Sequence, residues 1–158
     1  MMVQTSRLTL ESLTSEQWAA VAEGRMVDGA PDYPTEGDLV AAALVAAGDW
    51  PAGDWGPLQV RRISDGLVIG GVGCKGEPDA DGRVEIGYGL VSSARGHGYA
   101  TEALDGLLVW LRDGGVHEVV AECDGNNLAS MAVLRRCHFT ETSRLDATTW
   151  WGLVLSRG

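Results

Sequence analysis

Apolar and polar positions alternate through Val3, Arg7 to Leu10 and Leu13, a period of two that predicts a first strand. Thr14-Ser15-Glu16, ahead of Trp18, Ala19, Val21 and Ala22, has the form of a helix start. Thr35 with Asp38 three positions on resembles a capping box, and the alanine-rich run behind it stops at Gly48, where a second helix is expected to end. Residues 49–57, DWPAGDWGP, read as a loop, and its two tryptophans, Trp50 and Trp55, are the large aromatics most suited to line a substrate pocket. From Leu58 the period returns to two. LQVRRI, GLVIGGVGC and RVEIGYGLV are separated by turn-forming segments and predict three antiparallel strands.

Residues 99–113 then carry Ala100, Ala103, Leu104, Leu107, Leu108 and Leu111 on one helical stripe that closes at Gly114-Gly115. Residues 116–121 form an apolar run fit for a buried strand, residues 127–137 suggest another helix, and TTWWGLVL after Phe139 predicts a last strand. The sum is an α+β domain over residues 1–158. It should have three layers, a mixed but mostly antiparallel sheet of six to seven strands with helices on both faces.

The composition narrows the class of partner. Twelve Lys and Arg against 22 Asp and Glu give a formal charge of −10, a field that repels phosphate backbones and anionic lipid, so neither nucleic acid nor membrane is an expected partner. Cys74, Cys123 and Cys137 are odd in number and show no C-x-x-C spacing, which argues against a disulfide framework or a zinc site, and no metal is expected. The first residues lack a basic start followed by an apolar run, and the longest apolar run, LVAAALVAA, is far short of a membrane span. A cytoplasmic location is the expectation. Trp150 and Trp151 point to opposite faces of the last strand, so an exposed one would suit a homodimer contact.

Two glycine-rich segments invite a nucleotide reading. Gly71-x-Gly73-x-x-Gly76 has the spacing of a dinucleotide fingerprint, but a turn follows it where a helix should start, so a nicotinamide-dependent reductase is not supported. Arg95-Gly96-His97-Gly98-Tyr99-Ala100 instead lies between a strand and the amphipathic helix. There, small residues, unpaired first-turn N–H groups and the helix dipole together make a seat for a pyrophosphate. On the strand before it, Val84, Ile86, Tyr88 and Leu90 form the apolar row while Glu85 points the other way, with space beside it at Gly87 and Gly89.

Arg95-x-x-Gly98-x-Ala100 resembles the R/Q-x-x-G-x-G/A signature of the GNAT superfamily of N-acetyltransferases. Thr5-Ser6-Arg7-Leu8-Thr9-Leu10, Glu85-Ile86-Gly87-Tyr88, the Gly98-Tyr99-Ala100-Thr101-Glu102-Ala103 run and Asn127-Leu128-Ala129-Ser130 are similar, in order, to its ribosomal-protein N-terminal acetyltransferase branch. The resemblance implies direct acetyl transfer from acetyl-CoA, the cofactor and co-substrate, to a primary amine in a ternary complex. The acceptor would be a small molecule or a protein N-terminus. It also implies roles. Residues 95–100 hold the pyrophosphate, with His97 and Arg136 near phosphates and Arg135 a nearby substitute; Glu85 is the general base; a backbone N–H at Leu90 or Val91 stabilises the oxyanion. Asn127 binds pantetheine, Ser130 donates to the departing thiolate, and Trp50, Trp55 and Tyr88 meet the acceptor. The family's usual tyrosine acid falls on Leu134, and its usual helix-ending glycine on His138, structural rather than catalytic. These two departures keep open an alternative, a CoA-binding module without turnover.

Overall fold

The computed structural model describes residues 1–26 and 28–155. Its elements follow the chain as β1 (Met2–Gln4), β2 (Leu8–Ser12), α1 (Ser15–Ala22), α2 (Glu36–Ala46), β3 (Pro57–Arg62), β4 (Val68–Cys74) and β5 (Arg83–Leu90). A 3-10 turn at Ser92–Ala94 leads to α3 (Tyr99–Asp113), then β6 (Glu118–Asp124), α4 (Leu128–Arg136), β7 (Thr140–Leu145) and β8 (Thr148–Val154). The strands form one sheet of eight in the order β1-β2-β3-β4-β5-β6-β8-β7. Every pairing is antiparallel except β5 with β6.

Eight strands exceed the six or seven expected, and the two ends of the chain account for the difference. Thr5 donates its N–H to the Leu8 carbonyl and breaks the first alternating stretch into a hairpin, β1 with β2. β7 is polar up to its last residue, Leu145, and exposed at every position, so no hydrophobic period announces it. As an edge strand it needs only a partner for its backbone, which β8 supplies. The Gly71-x-Gly73-x-x-Gly76 segment belongs to β4 and the turn after it, where no helix begins.

The main core joins the sheet to α3 and α4 through Leu104, Leu107, Leu111, Met131 and Leu134, packed with Leu8, Leu10, Val60, Ile86 and Trp151. α1 and α2 pack on one another over a smaller core of Trp18, Val21, Ala42 and Val45. Both of these helices start with a complete capping box, Thr14 with Gln17 and Thr35 with Asp38. The Ala-rich α2 has little helical amphipathicity to bury, and this cap and its partner helix place it.

α4 ends in a reciprocal pair of bonds: the His138 N–H donates to the Arg135 carbonyl at 3.0 Å and the Phe139 N–H to that of Leu134 at 2.9 Å. His138 therefore adopts φ 71°, a left-handed conformation that glycine accepts more readily. A His138→Gly variant should gain about 1 kcal/mol and melt ~2–4 °C higher by calorimetry. An unchanged or lower Tm would show that the imidazole contributes contacts that offset the strain.

Candidate active site

The site begins with glycines facing each other across two strands. β4 and β5 pair so that Gly71 lies opposite Gly89 and Gly73 opposite Gly87. These positions share one face of the sheet, the face that meets α2, because a Cβ built on Gly71 would stand 2.7 Å from Asp38 Oδ1. The absent side chains leave a cavity of about 270 Å³ above that floor, walled by Trp18 of α1, Asp38 of α2 and Trp50 of the following loop.

The cavity continues through the sheet. The parallel pairing of β5 with β6 runs only from Arg83–Glu118 to Ile86–Ala121, after which the strands part. Tyr88, Glu122 and Ser130 line the cavity at this opening. In the β4 ladder the Val91 N–H donates to the Ile69 carbonyl at 2.9 Å. Antiparallel alternation then turns the Tyr88 and Leu90 N–H groups toward the opening, where β6 no longer takes them. Of the two backbone donors expected at this place, Val91 is thus already engaged, and Leu90 is the one that faces the opening.

At the same end of β5, Arg95 donates to the Leu90 carbonyl at 3.4 Å, and the chain enters α3 through Gly96 (φ 83°) and Gly98 (φ 78°). Gly98 is the residue that caps α3, in a left-handed conformation and without a side chain, so the first-turn N–H groups of the helix open onto the loop. Two motifs distant in the chain hold the loop in place. Thr5 Oγ1 and the Arg7 N–H both donate to Glu102 Oε2, Arg7 Nε donates to Glu102 Oε1 at 2.7 Å, and Arg7 Nη1 donates to the His97 carbonyl at 2.9 Å. The Arg7 guanidinium also covers the Tyr99 ring at 4.4 Å. Arg7, Arg95 and the helix N-terminus make this loop a cationic place on an acidic protein, which suits a pyrophosphate.

Burial pushes the Glu102 carboxyl up, but the hydrogen bonds from Thr5 and Arg7 outweigh it and hold the group below the usual range. Its folded value lies below its unfolded one, so the stabilisation is complete above pH ~4.5 and fades as pH falls through the lowered value. Glu102→Gln should therefore lower stability at pH 7 and leave less of a deficit at pH 3, measured by urea unfolding at both. An equal deficit at both would mean that the charge contributes nothing.

Ser130 and Tyr88 form a pair at the opening. Their hydroxyl oxygens are 2.8 Å apart, and the Tyr88 hydroxyl is also 2.9 Å from the Ser130 carbonyl. Burial pushes the Tyr88 phenol up to about 12, so it keeps its proton near neutral pH. Asn127 caps α4, accepting the Ser130 N–H on Oδ1 at 3.0 Å, which leaves its amide N–H groups for another partner. Leu134 is fully buried in the core.

Other expected site residues stand differently. Glu85 is on the glycine-floor face, but Lys75 stands between it and the cavity: Lys75 Nζ is 2.8 Å from Glu85 Oε2 and 3.6 Å from Glu122 Oε1, and it is Lys75 that lines the cavity. Trp55, expected at the acceptor site, lies elsewhere. It packs at a tilt against Trp110 of α3, 5.1 Å between ring centroids, on the far side of the sheet, whereas Trp50 lines the cavity. The two tryptophans sit five residues apart in a tight loop, and each went to a different core. Ala100 is half-buried behind the loop, and the exposed His97 ring rests on Tyr99 at 5.6 Å. Arg136 is exposed on the last turn of α4, while Arg135 covers the Trp151 ring at 5.1 Å. Trp151 is buried and Trp150 half-buried, as opposite faces of β8 require. Sequence reasoning missed Trp18, Asp38, Lys75 and Glu122 as cavity residues. Asp38 was legible only as a helix cap.

The profile of the family described as the acetyltransferase (GNAT) domain matches residues 7–140. Among curated proteins, the chain is 37% identical over 73 residues to the uncharacterized N-acetyltransferase YjdG of Bacillus subtilis (strain 168), a stretch that takes in 46% of this chain and spans only 44% of that relative's length. A GNAT-family acetyltransferase from Bacillus anthracis superposes with a TM-score of 0.70 over 98% of each chain at 17% identity. RimL, a ribosomal L7/L12 alpha-N-protein acetyltransferase solved with coenzyme A, superposes with a TM-score of 0.65 over 98% of each chain at 18% identity. With the split sheet, the glycine loop at the start of α3 and a profile match across residues 7–140, the chain belongs to the GNAT acetyltransferase family.

Proposed function

We propose that the protein transfers the acetyl group of acetyl-CoA directly to a primary amine, a protein N-terminus or a small molecule, in a ternary complex. The observation that carries this reading is the continuity of one cavity, from the glycine floor under α2 through the opening between β5 and β6 to Ser130. The amine approaches from one face of the sheet and the thioester from the other, next to the cationic loop. The residues present fit the cofactor: Gly96 and Gly98 keep that loop free of side chains, and the α3 N-terminus faces it. The presence of coenzyme A in the structure of RimL, which shares this fold, adds support.

Acetyl-CoA supplies a thioester carbonyl open to attack by an amine. Residues 95–100 hold the phosphates, with Arg95 and His97 beside them and Arg136 within the same charge field, and the Asn127 amide donates to pantetheine. The Leu90 N–H donates to the carbonyl oxygen as charge grows on it. Glu85 takes the amine proton, in contact or through water. The Ser130 hydroxyl, paired with that of Tyr88, donates to the departing thiolate in the place where the family's usual acid is the buried Leu134.

Calorimetric titration with acetyl-CoA and, separately, NADH tests the reading, followed by CoA release with polyamines, aminoglycosides and N-terminal peptides. Saturable binding of acetyl-CoA alone with amine-dependent CoA release is the expected result. Binding without release for any amine would favour a non-catalytic module, and absence of binding would overturn the assignment.

A further inference from the structure

Three polar side chains of the described residues are buried: Asp38, Gln59 and Thr149. Two have a partner within the fold for every group that they donate. Gln59 donates to the Tyr33 hydroxyl and Met26 sulfur, and Thr149 donates to the Cys123 carbonyl while accepting from the Trp151 indole. Asp38 is only half explained. Its Oδ2 accepts the Thr35 N–H at 3.0 Å and the Thr35 hydroxyl at 2.9 Å, which completes the cap of α2. Its Oδ1 accepts no hydrogen bond from the described residues and faces the cavity floor at Gly71. A helix cap needs an acceptor at this position, not a carboxylate 6% exposed that pairs with no cation among the described residues.

A second orphan belongs to a residue that lines the same cavity. The Trp18 indole N–H is the one buried side-chain polar atom of the described residues without a hydrogen-bond partner, and Trp18 is 1% exposed. We propose that Asp38 receives the acceptor's ammonium on Oδ1, over the Gly71–Gly89 rung, and keeps hold of the nitrogen through a remaining N–H once its proton has passed to Glu85, while the Trp18 N–H donates to an oxygen of the same molecule. The acceptor is thus a compact primary amine that also carries a hydroxyl or carbonyl oxygen. This proposal rests on the acetyl-transfer reading and names the substrate class of that same site.

Charge and position agree with it. The cavity is lined by Asp38 and Glu122 against Lys75, whose ammonium is already bonded to Glu85, so the balance favours a cation and opposes a carboxylate. Gly71 is paired with Gly89, the residue before Leu90, and neighbouring strands lie about 4.8 Å apart, so an amine on Oδ1 is held beside the opening between β5 and β6. Burial pushes the Asp38 carboxyl up, a penalty that a bound ammonium offsets.

Two variants test this with ethanolamine, L-alaninamide and putrescine as acceptors. Asp38→Asn retains an oxygen for the Thr35 cap, so it should melt no lower than the wild type, bind acetyl-CoA unchanged, and raise KM for the preferred amine at least tenfold with kcat within threefold. Gly71→Ala keeps the Asp38 carboxylate but puts a methyl 2.7 Å from Oδ1, closer than contact, so Oδ1 must swing off the floor and the same KM should rise. Ethanolamine or L-alaninamide should be preferred over putrescine, which has no oxygen. If the wild type binds acetyl-CoA but turns over none of the three, or if either folded variant keeps the wild-type KM, the Asp38 proposal falls and the acetyl-transfer reading stands. If the wild type does not bind acetyl-CoA, both fall. Should Asp38→Asn fail to fold, Gly71→Ala decides.

Discussion

A Gly98→Val protein is expected to fold and to lose acetyl-CoA binding by at least a hundredfold. Gly98 has φ 78°, where a β-branched side chain costs about 1–2 kcal/mol, an amount that a chain of this size tolerates. The nearest atom to a Cβ there is Arg7 Nη2 at 3.6 Å, ordinary contact, so the new side chain meets no wall of protein. It projects instead over the first-turn N–H groups of α3, the place assigned to the pyrophosphate. Calorimetry with acetyl-CoA, with the melting curve as control, reads the result. A folded variant that binds normally would show that the cofactor lies elsewhere, and Gly98→Ala should fall between the two.

Glu85→Gln should leave acetyl-CoA binding within about threefold of the wild type and lower kcat/KM by roughly 10²–10⁴, the range for loss of a general base. The amide keeps an oxygen for Lys75 Nζ, now 2.8 Å from Oε2, so the local geometry survives and only the proton acceptor disappears. Unchanged turnover would remove Glu85 from the mechanism, and the position of Lys75 between Glu85 and the cavity makes this experiment decisive. A fall in acetyl-CoA binding instead would mark Glu85 as part of the cofactor site.

Parts of the site were legible because local rules set them. The stripe of Ala103, Leu104, Leu107, Leu108 and Leu111 predicted α3 with both ends correct, and a glycine loop before such a helix places an anion seat without knowledge of the fold. The alternation along β5 placed Glu85 opposite Ile86, and the structure keeps them on opposite faces. The meeting of Thr5 and Arg7 with Glu102 was not legible, although both motifs stand out in the chain, since nothing local says that residues nearly a hundred positions apart share a hydrogen bond.

Periodicity, capping and turn chemistry act over a few residues, so the chain alone specified the helices, most of the strands, the glycine loop and the kinship. The eight-stranded order, the separation of β5 from β6 after Ile86, the screening of Glu85 by Lys75, and the parting of Trp50 from Trp55 were decided by packing. Asp38 shows the division most clearly. Its spacing from Thr35 marked a helix cap, but only the descent of α2 onto a floor of glycines gave its second oxygen a cavity to face. Burial is a property of the assembled layers, and no local pattern of residues encodes it.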